Sequence, residues 1–243
     1  MTDHTAHKTS KARTSEKGNV LFLILIAVAL FAALSYAVTQ SSRSGSGDAG
    51  SETNLVNSAQ ITQYPSSVRT SIIRMMVSKG VAVDQLLFDK PPYTDLTSAA
   101  LRERGVFHPE GGGASYGDAA ADVMVSGAPG VWYFNGALEV ANLGTTAAGV
   151  GGNEIIAFLP GIKRSVCEKL NEQLGITGDV NSDVDISGLA DNMITASTAN
   201  VDGVLILGDA TSTDTVGLAG QAFGCYRNNN TDNYVYYHVL VEQ

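Results

Sequence analysis

Gly113-Ala114-Ser115-Tyr116-Gly117 has the G-x-S-x-G spacing of a nucleophile elbow, in which a sharp strand-to-helix turn presents a serine to an acyl group. That chemistry also needs a core strand before the serine, a helix after it, and an acid and a histidine further on. Here the glycine-rich His108-Pro109-Glu110-Gly111-Gly112 leads into the motif, and the histidine that follows, His238, lies in a strand-like run. A structured turn whose glycines accept positive φ is the better account of the segment. His108 and Glu110 could supply two metal donors, but two donors do not make a zinc site. No catalytic constellation or cofactor motif is assembled, so the expectation is a protein that is not an enzyme and carries no cofactor.

Two further clusters invite chemistry. Gly178-Asp179-Val180-Asn181-Ser182-Asp183-Val184-Asp185 resembles a dockerin or EF-hand loop, where alternate Asp and Asn side chains donate oxygens to calcium. Val184 stands where that loop needs glycine, and Ala190 stands where it needs the bidentate acid. Asp179, Asn181, Asp183 and Asp185 are therefore calcium candidates only through another geometry, the alternative being a solvated acidic loop. The other cluster is the pair of cysteines, Cys167 and Cys225. In an oxidising compartment an even count points to one disulfide; otherwise these are two separate buried thiols.

The compartment follows from the elements that precede them. Residues 19 to 38, NVLFLILIAVALFAALSYAV, carry no polar side chain from Val20 to Leu34. As a helix they extend about 28 Å, close to the hydrocarbon core of a bilayer, and the transmembrane helix is taken as residues 19–40. Lys8, Lys11, Arg13 and Lys17 precede the span against Asp3 and Glu16, whereas Arg43 alone follows it closely. The positive-inside rule then places the N-terminus in the cytoplasm and the rest outside the inner membrane. Residues 1–48 carry five basic and three acidic residues, so of the chain's net −9 the remainder holds −11. A body that acidic is unsuited to nucleic acid, whose phosphates demand basic surface.

Three fates are open to the leader MTDHTAHKTSKARTSEKG. It could stay as a cytoplasmic tail. It could be part of a secretory signal cut after Ser35-Tyr36-Ala37. Or it could be removed after Gly18, leaving the span as a new N-terminus. The third pattern, a basic leader ending in Lys17-Gly18 and followed at once by a long apolar helix and an outer domain, resembles a prepilin of the type IV pilin and type II secretion pseudopilin group. The resemblance implies cleavage between Gly18 and Asn19 by a prepilin peptidase, insertion of the span in the inner membrane, and assembly with other pilin-like subunits through the apolar helix. Asn19 stands where the family usually has an apolar residue, and Leu23 where it usually has the glutamate at mature position five. These departures point away from an ordinary major pilin. The alternative is a single-pass, membrane-anchored periplasmic or surface binding domain that does not polymerise.

Beyond a Gly/Ser-rich linker at residues 41–51, where the sequence favours an interruption of helix, residues 52–243 read as one α+β domain: a helix laid on an antiparallel sheet and stapled by one disulfide. Ile61, Tyr64, Val68, Ile72 and Met75 or Met76 recur at helical spacing, with Pro65 marking a kink or a fresh first turn and an end near Gly80. A short helix is expected over 96–104 and an amphipathic one over 162–174. Strands are expected at 106–107, 122–125, 131–134, 137–140, 153–159, 204–207, 222–226 and 234–241. Asn135-Gly136 predicts a hairpin between two of them, and Trp132 reads as a core anchor. A strand, a Pro160-Gly161 turn and a Cys167-bearing helix, with Cys225 further on, again resembles the disulfide-bounded region of type IVb-like pilins.

Overall fold

The computed structural model describes residues 17–136, 138–144, 154–178, 180–182, 205–208, 216–229 and 231–242, with the backbone alone for 17–19, 40–49, 51, 135, 138, 182, 205 and 216. The chain divides into two compact units, Met1–Ser51 and Glu52–Gln243. Helix α1, Lys17–Lys79, contributes residues to both. In the first unit its stretch Val20–Thr39 has a mean hydropathy of 2.7 and none of it is buried. A helix satisfies its own backbone groups, which is what a segment in lipid requires.

Residues 41–51 fall inside the bounds of α1, where the sequence favours an interruption. A helix-interior glycine costs about 1 kcal/mol. Breaking the helix would instead expose up to four N–H and four C=O groups at the new ends. Gly45, Gly47 and Gly50 are tolerated on that balance.

In the second unit α1 turns one face inward. Ile61, Pro65, Val68, Ile72 and Met75 are buried at the spacing of three and four expected for one stripe. Pro65 neither ends the helix nor begins one; it lies within α1 on the buried stripe. Its ring lacks the N–H that would bond the Ile61 carbonyl, and apolar burial offsets that loss. The helix stops at Lys79, just before Gly80.

The stripe covers one face of a five-stranded sheet with the order β1-β3-β7-β6-β4. These strands are β1 (Tyr133–Asn135), β3 (Ile155–Ile162), β7 (Tyr234–Val241), β6 (Phe223–Asn228) and β4 (Asn181–Ser182). All pairs are antiparallel except the short β4, which runs parallel to β6. Along β7, Tyr236 and Leu240 join the cluster under α1, while Val235, Tyr237 and Val239 join a second cluster on the opposite face. That second face is covered by Val140, Leu207, Leu218 and Val180. Val140 and Leu207 come from a separate two-stranded parallel sheet, β2 (Leu138–Val140) with β5 (Leu205–Leu207). The sheet is therefore covered on both sides, and β7 is buried on both of its faces.

Four expectations need correction. Asn135-Gly136 does not turn a hairpin: β1 pairs with β3, and β2 pairs with β5. Phe134 is committed to the α1 face, stacked on Phe88 at 4.9 Å, whereas Val140 is committed to the other cluster, so burial overrides local turn chemistry. Residues 122–125 form a turn with a single bridge, Met124 to Ile162, rather than a strand. Val106 and Phe107 form no strand; they are buried in a bent segment in which the Val106 N–H donates to the Leu87 carbonyl at 2.8 Å. Pro160-Gly161 does not end β3, which continues to Ile162 through a bulge. Gly161 has φ +82 there, and a Cβ would meet the Ala128 side chain at 3.0 Å, so glycine is what lets the strand bend.

Helix α2, Ala99–Arg104, is capped by Ser98, whose hydroxyl accepts from the Leu101 N–H at 3.3 Å. Helix α3, Arg164–Gln173, lies on the α1 side of the sheet with Val166 and Leu170 buried. Its Gln173 amide donates to Ser58 of α1 at 2.9 Å, and its Ser165 hydroxyl donates to Asn54 at 3.3 Å.

Candidate functional site

Two places in the chain combine unusual residue types with defined surroundings: the apolar segment of α1 and the stapled junction of α3 with β6. In the first, every described side chain from Val20 to Val38 is exposed, including Leu23, which the resemblance sets against a glutamate. The described residues thus contain one helix segment long and apolar enough to cross a membrane, as an anchor or as a signal sequence. Gly18 and Asn19 lie in its first turn, where the helix backbone is described and their side chains are not.

At the second place Cys167 of α3 and Cys225 of β6 form a disulfide, 58 positions apart in sequence with Cα atoms 5.4 Å apart. Both residues are buried. A loop of that length confers about 4 kcal/mol by the chain-entropy model. One turn along α3, Asn171 completes the junction. Its amide donates to the Cys225 carbonyl at 2.8 Å, and its carbonyl accepts from the Cys225 N–H at 3.0 Å. β4 bonds this edge of β6 only at Arg227 and Asn228, so Asn171 supplies at Cys225 the donor and acceptor that a neighbouring strand would have given. Sequence reasoning missed Asn171. Its signal is one helical turn from a disulfide cysteine, on the buried face.

The glycine-rich segment is a packed turn. The backbones of Gly111 and Gly112 press on those of Gly105 and Val106: a Cβ on Gly111 would meet the Gly105 oxygen at 2.0 Å, and one on Gly112 the Val106 oxygen at 2.4 Å. Gly113 alone of the three takes positive φ. Arg74 and Lys79 of α1 donate to the carbonyls of residues 110–112 and hold the turn to the helix. Ser115 is exposed in coil, and His238 shares a 2.8 Å hydrogen bond between its Nδ1 and the Tyr236 hydroxyl, so the structure does not bring the elbow residues together as a nucleophile and its base. His108 Nδ1 accepts from the Glu110 N–H at 3.1 Å, and the Glu110 carboxylate pairs with Arg102 at 3.0 Å. The two do not converge on one point. Of the calcium candidates, Asn181 lies in β4 beside Arg227, its side-chain oxygen buried without a hydrogen-bond partner. Asp179, Asp183 and Asp185 lie outside the described residues. Among the described residues no three His, Cys, Asp or Glu side chains gather as a metal set.

Among the buried titratable groups, Glu154 and His238 have values shifted into the range near neutrality and below. Glu154, preceding β3, is 1 % exposed and accepts from the Val140 N–H at 3.0 Å. Burial pushes its carboxyl up to about 7, the Val140 bond opposing and Glu139 and Glu242 adding to the rise. His238, stacked on Phe223 at 5.7 Å, is driven the other way, down to about 4, by burial and then by Arg69. Neither was singled out from sequence as a buried titrating group, because a Glu at a strand start and a His in an alternating strand look like solvated positions.

Comparison with protein-family models, with curated proteins and with solved structures finds no match. The functional reading therefore rests on the chemistry and geometry given above.

Proposed function

We propose that this chain is a pilin-like structural subunit: held in the inner membrane by the apolar segment of α1, and assembled with other pilin-like subunits into a type IV pilus or type II secretion-type filament. The observation that supports it most is the division of labour along α1. Its segment Val20–Thr39 buries nothing within its own chain, while Ile61 to Met75 form a stripe buried on an antiparallel sheet stapled by a disulfide. An exposed apolar helix face has two ways to leave water: lipid, or like helices of neighbouring subunits. Exchange between these two environments would let a membrane-held precursor become a filament subunit, with the acidic domain in solvent.

The reading requires a leader. Mass spectrometry of the membrane-extracted protein is expected to show a mature chain beginning at Asn19, and a Gly18→Glu variant is expected to accumulate as uncut precursor. Normal processing of that variant, or an intact Met1 in the wild type, overturns the filament reading in favour of an anchored binding domain.

A further inference from the structure

A cavity of about 130 Å³ opens between α1 and the segment 117–120, with Gln60 and Tyr64 from the helix, Asp118 from the segment, and Trp132 among its walls. Two aromatic rings shape it. Tyr64 and Trp132 lie 5.2 Å apart between centroids and tilt by 38°. Trp132 is 4 % exposed and is met edge-on by Tyr236 at 6.0 Å, so the indole belongs to the core. At the rim, Gln60 and Asp118 are exposed, and among the described residues no cation pairs with the Asp118 carboxylate. The Tyr64 hydroxyl oxygen is shielded from solvent and has no hydrogen-bond partner of good geometry, although the Gly117 amide lies close to it.

Two aromatic side chains in the lining and one carboxylate at the rim, in a body of net −11 beyond residue 48, favour a cation. The remaining lining is Ile61, Gly117, Ala119 and Ala120, which offers a guanidinium few acceptors for its five N–H groups. A cation with no N–H to satisfy fits better, and a cavity of ~150 Å³ is known to hold a benzene-sized guest. We propose that this cavity binds a methylated ammonium group in its aromatic lining of Tyr64 and Trp132, with Asp118 at the rim balancing its charge. The site stands apart from the filament reading and depends on no step of it.

Trp132 is the chain's only tryptophan, so its emission reports on the site directly. The full chain in maltoside micelles is titrated with choline, with glycerophosphocholine, and with 3,3-dimethylbutan-1-ol, the neutral isostere of choline. A saturable change in emission with either cationic ligand, weakened several-fold in Asp118→Asn and not reproduced by the neutral isostere, is the expected result. The tighter of the two ligands tells a free amine from a lipid headgroup as the source. No saturable response, an equal response to the isostere, or an unaltered response in Asp118→Asn overturns the proposal. Asp118 is exposed, and an unchanged circular-dichroism spectrum of the variant certifies its fold.

Discussion

Asn171 shows how much one side chain contributes when it stands in for a strand. Removing it in Asn171→Ala leaves the Cys225 N–H and C=O buried without partners while the disulfide stays intact. Each orphaned group costs about 1–3 kcal/mol, so the variant is expected to lose roughly 2–6 kcal/mol in urea unfolding, with both cysteines still oxidised in a thiol assay. Asn171→Asp keeps the acceptor for the Cys225 N–H but loses the donor and buries a charge, and it is expected to recover little of the loss. The pairing of Cys167 with Cys225 was legible, because an even count beyond a segment apolar enough to span a membrane constrains the chemistry. The amide beside it was not, since asparagine on a helix reads as solvated until a strand edge comes to meet it.

At the scale of elements, the period of apolar residues carried most of the information. The stripe Ile61, Val68, Ile72 and Met75 was readable on α1, as was the buried face of α3 with Val166 and Leu170. Helix periodicity depends only on neighbours along the chain. Strand pairing depends on partners far away in sequence, which is why Asn135-Gly136 misled and β2 was placed in the wrong sheet. The stripe also makes a quantitative contrast on one helix. Ile72→Ala removes a fully buried side chain and is expected to cost about 2–4 kcal/mol, whereas Val77→Ala, at 83 % exposure, is expected to stay within about 0.5 kcal/mol. Urea midpoints of the two variants in the micelle-held chain test this, and equal losses would mean that this face of α1 does not carry the packing.

For the whole molecule, Glu154 and His238 make opposite contributions to stability as pH changes. The Glu154 pKa is raised in the folded state from 4.5 to about 7, so between those values the folded chain holds a proton that the unfolded chain has lost, and stability falls as pH rises. The His238 pKa is lowered from 6.5 to about 4, so in that window the unfolded chain holds the extra proton and stability rises with pH. Each group alone gives a slope of up to about 1.4 kcal/mol per pH unit. Where the windows overlap, from about 4.5 to about 6.5, the slopes cancel. The wild type is expected to show nearly constant unfolding free energy there. Glu154→Gln is expected to become steadily less stable toward acid, and His238→Gln steadily less stable toward neutral pH. Urea titrations at half-unit pH steps check all three, and a sloped wild type with flat variants would contradict the assignment. None of this was visible in sequence, because it arises only when covers close over both faces of one sheet.

The strand order has a kinetic side. β7 lies between β3 and β6 yet follows both in the chain. A polypeptide made from its N-terminus has β3 and β6 before it has the residues that join them. Until 234–241 arrive, each holds out a bare edge of amides and carbonyls, and Cys167 can find Cys225 before the sheet exists to align them. Ladders that wait on distant sequence close slowly and leave edges open to other chains. The fold is therefore most open to mispairing just before its last strand is in place.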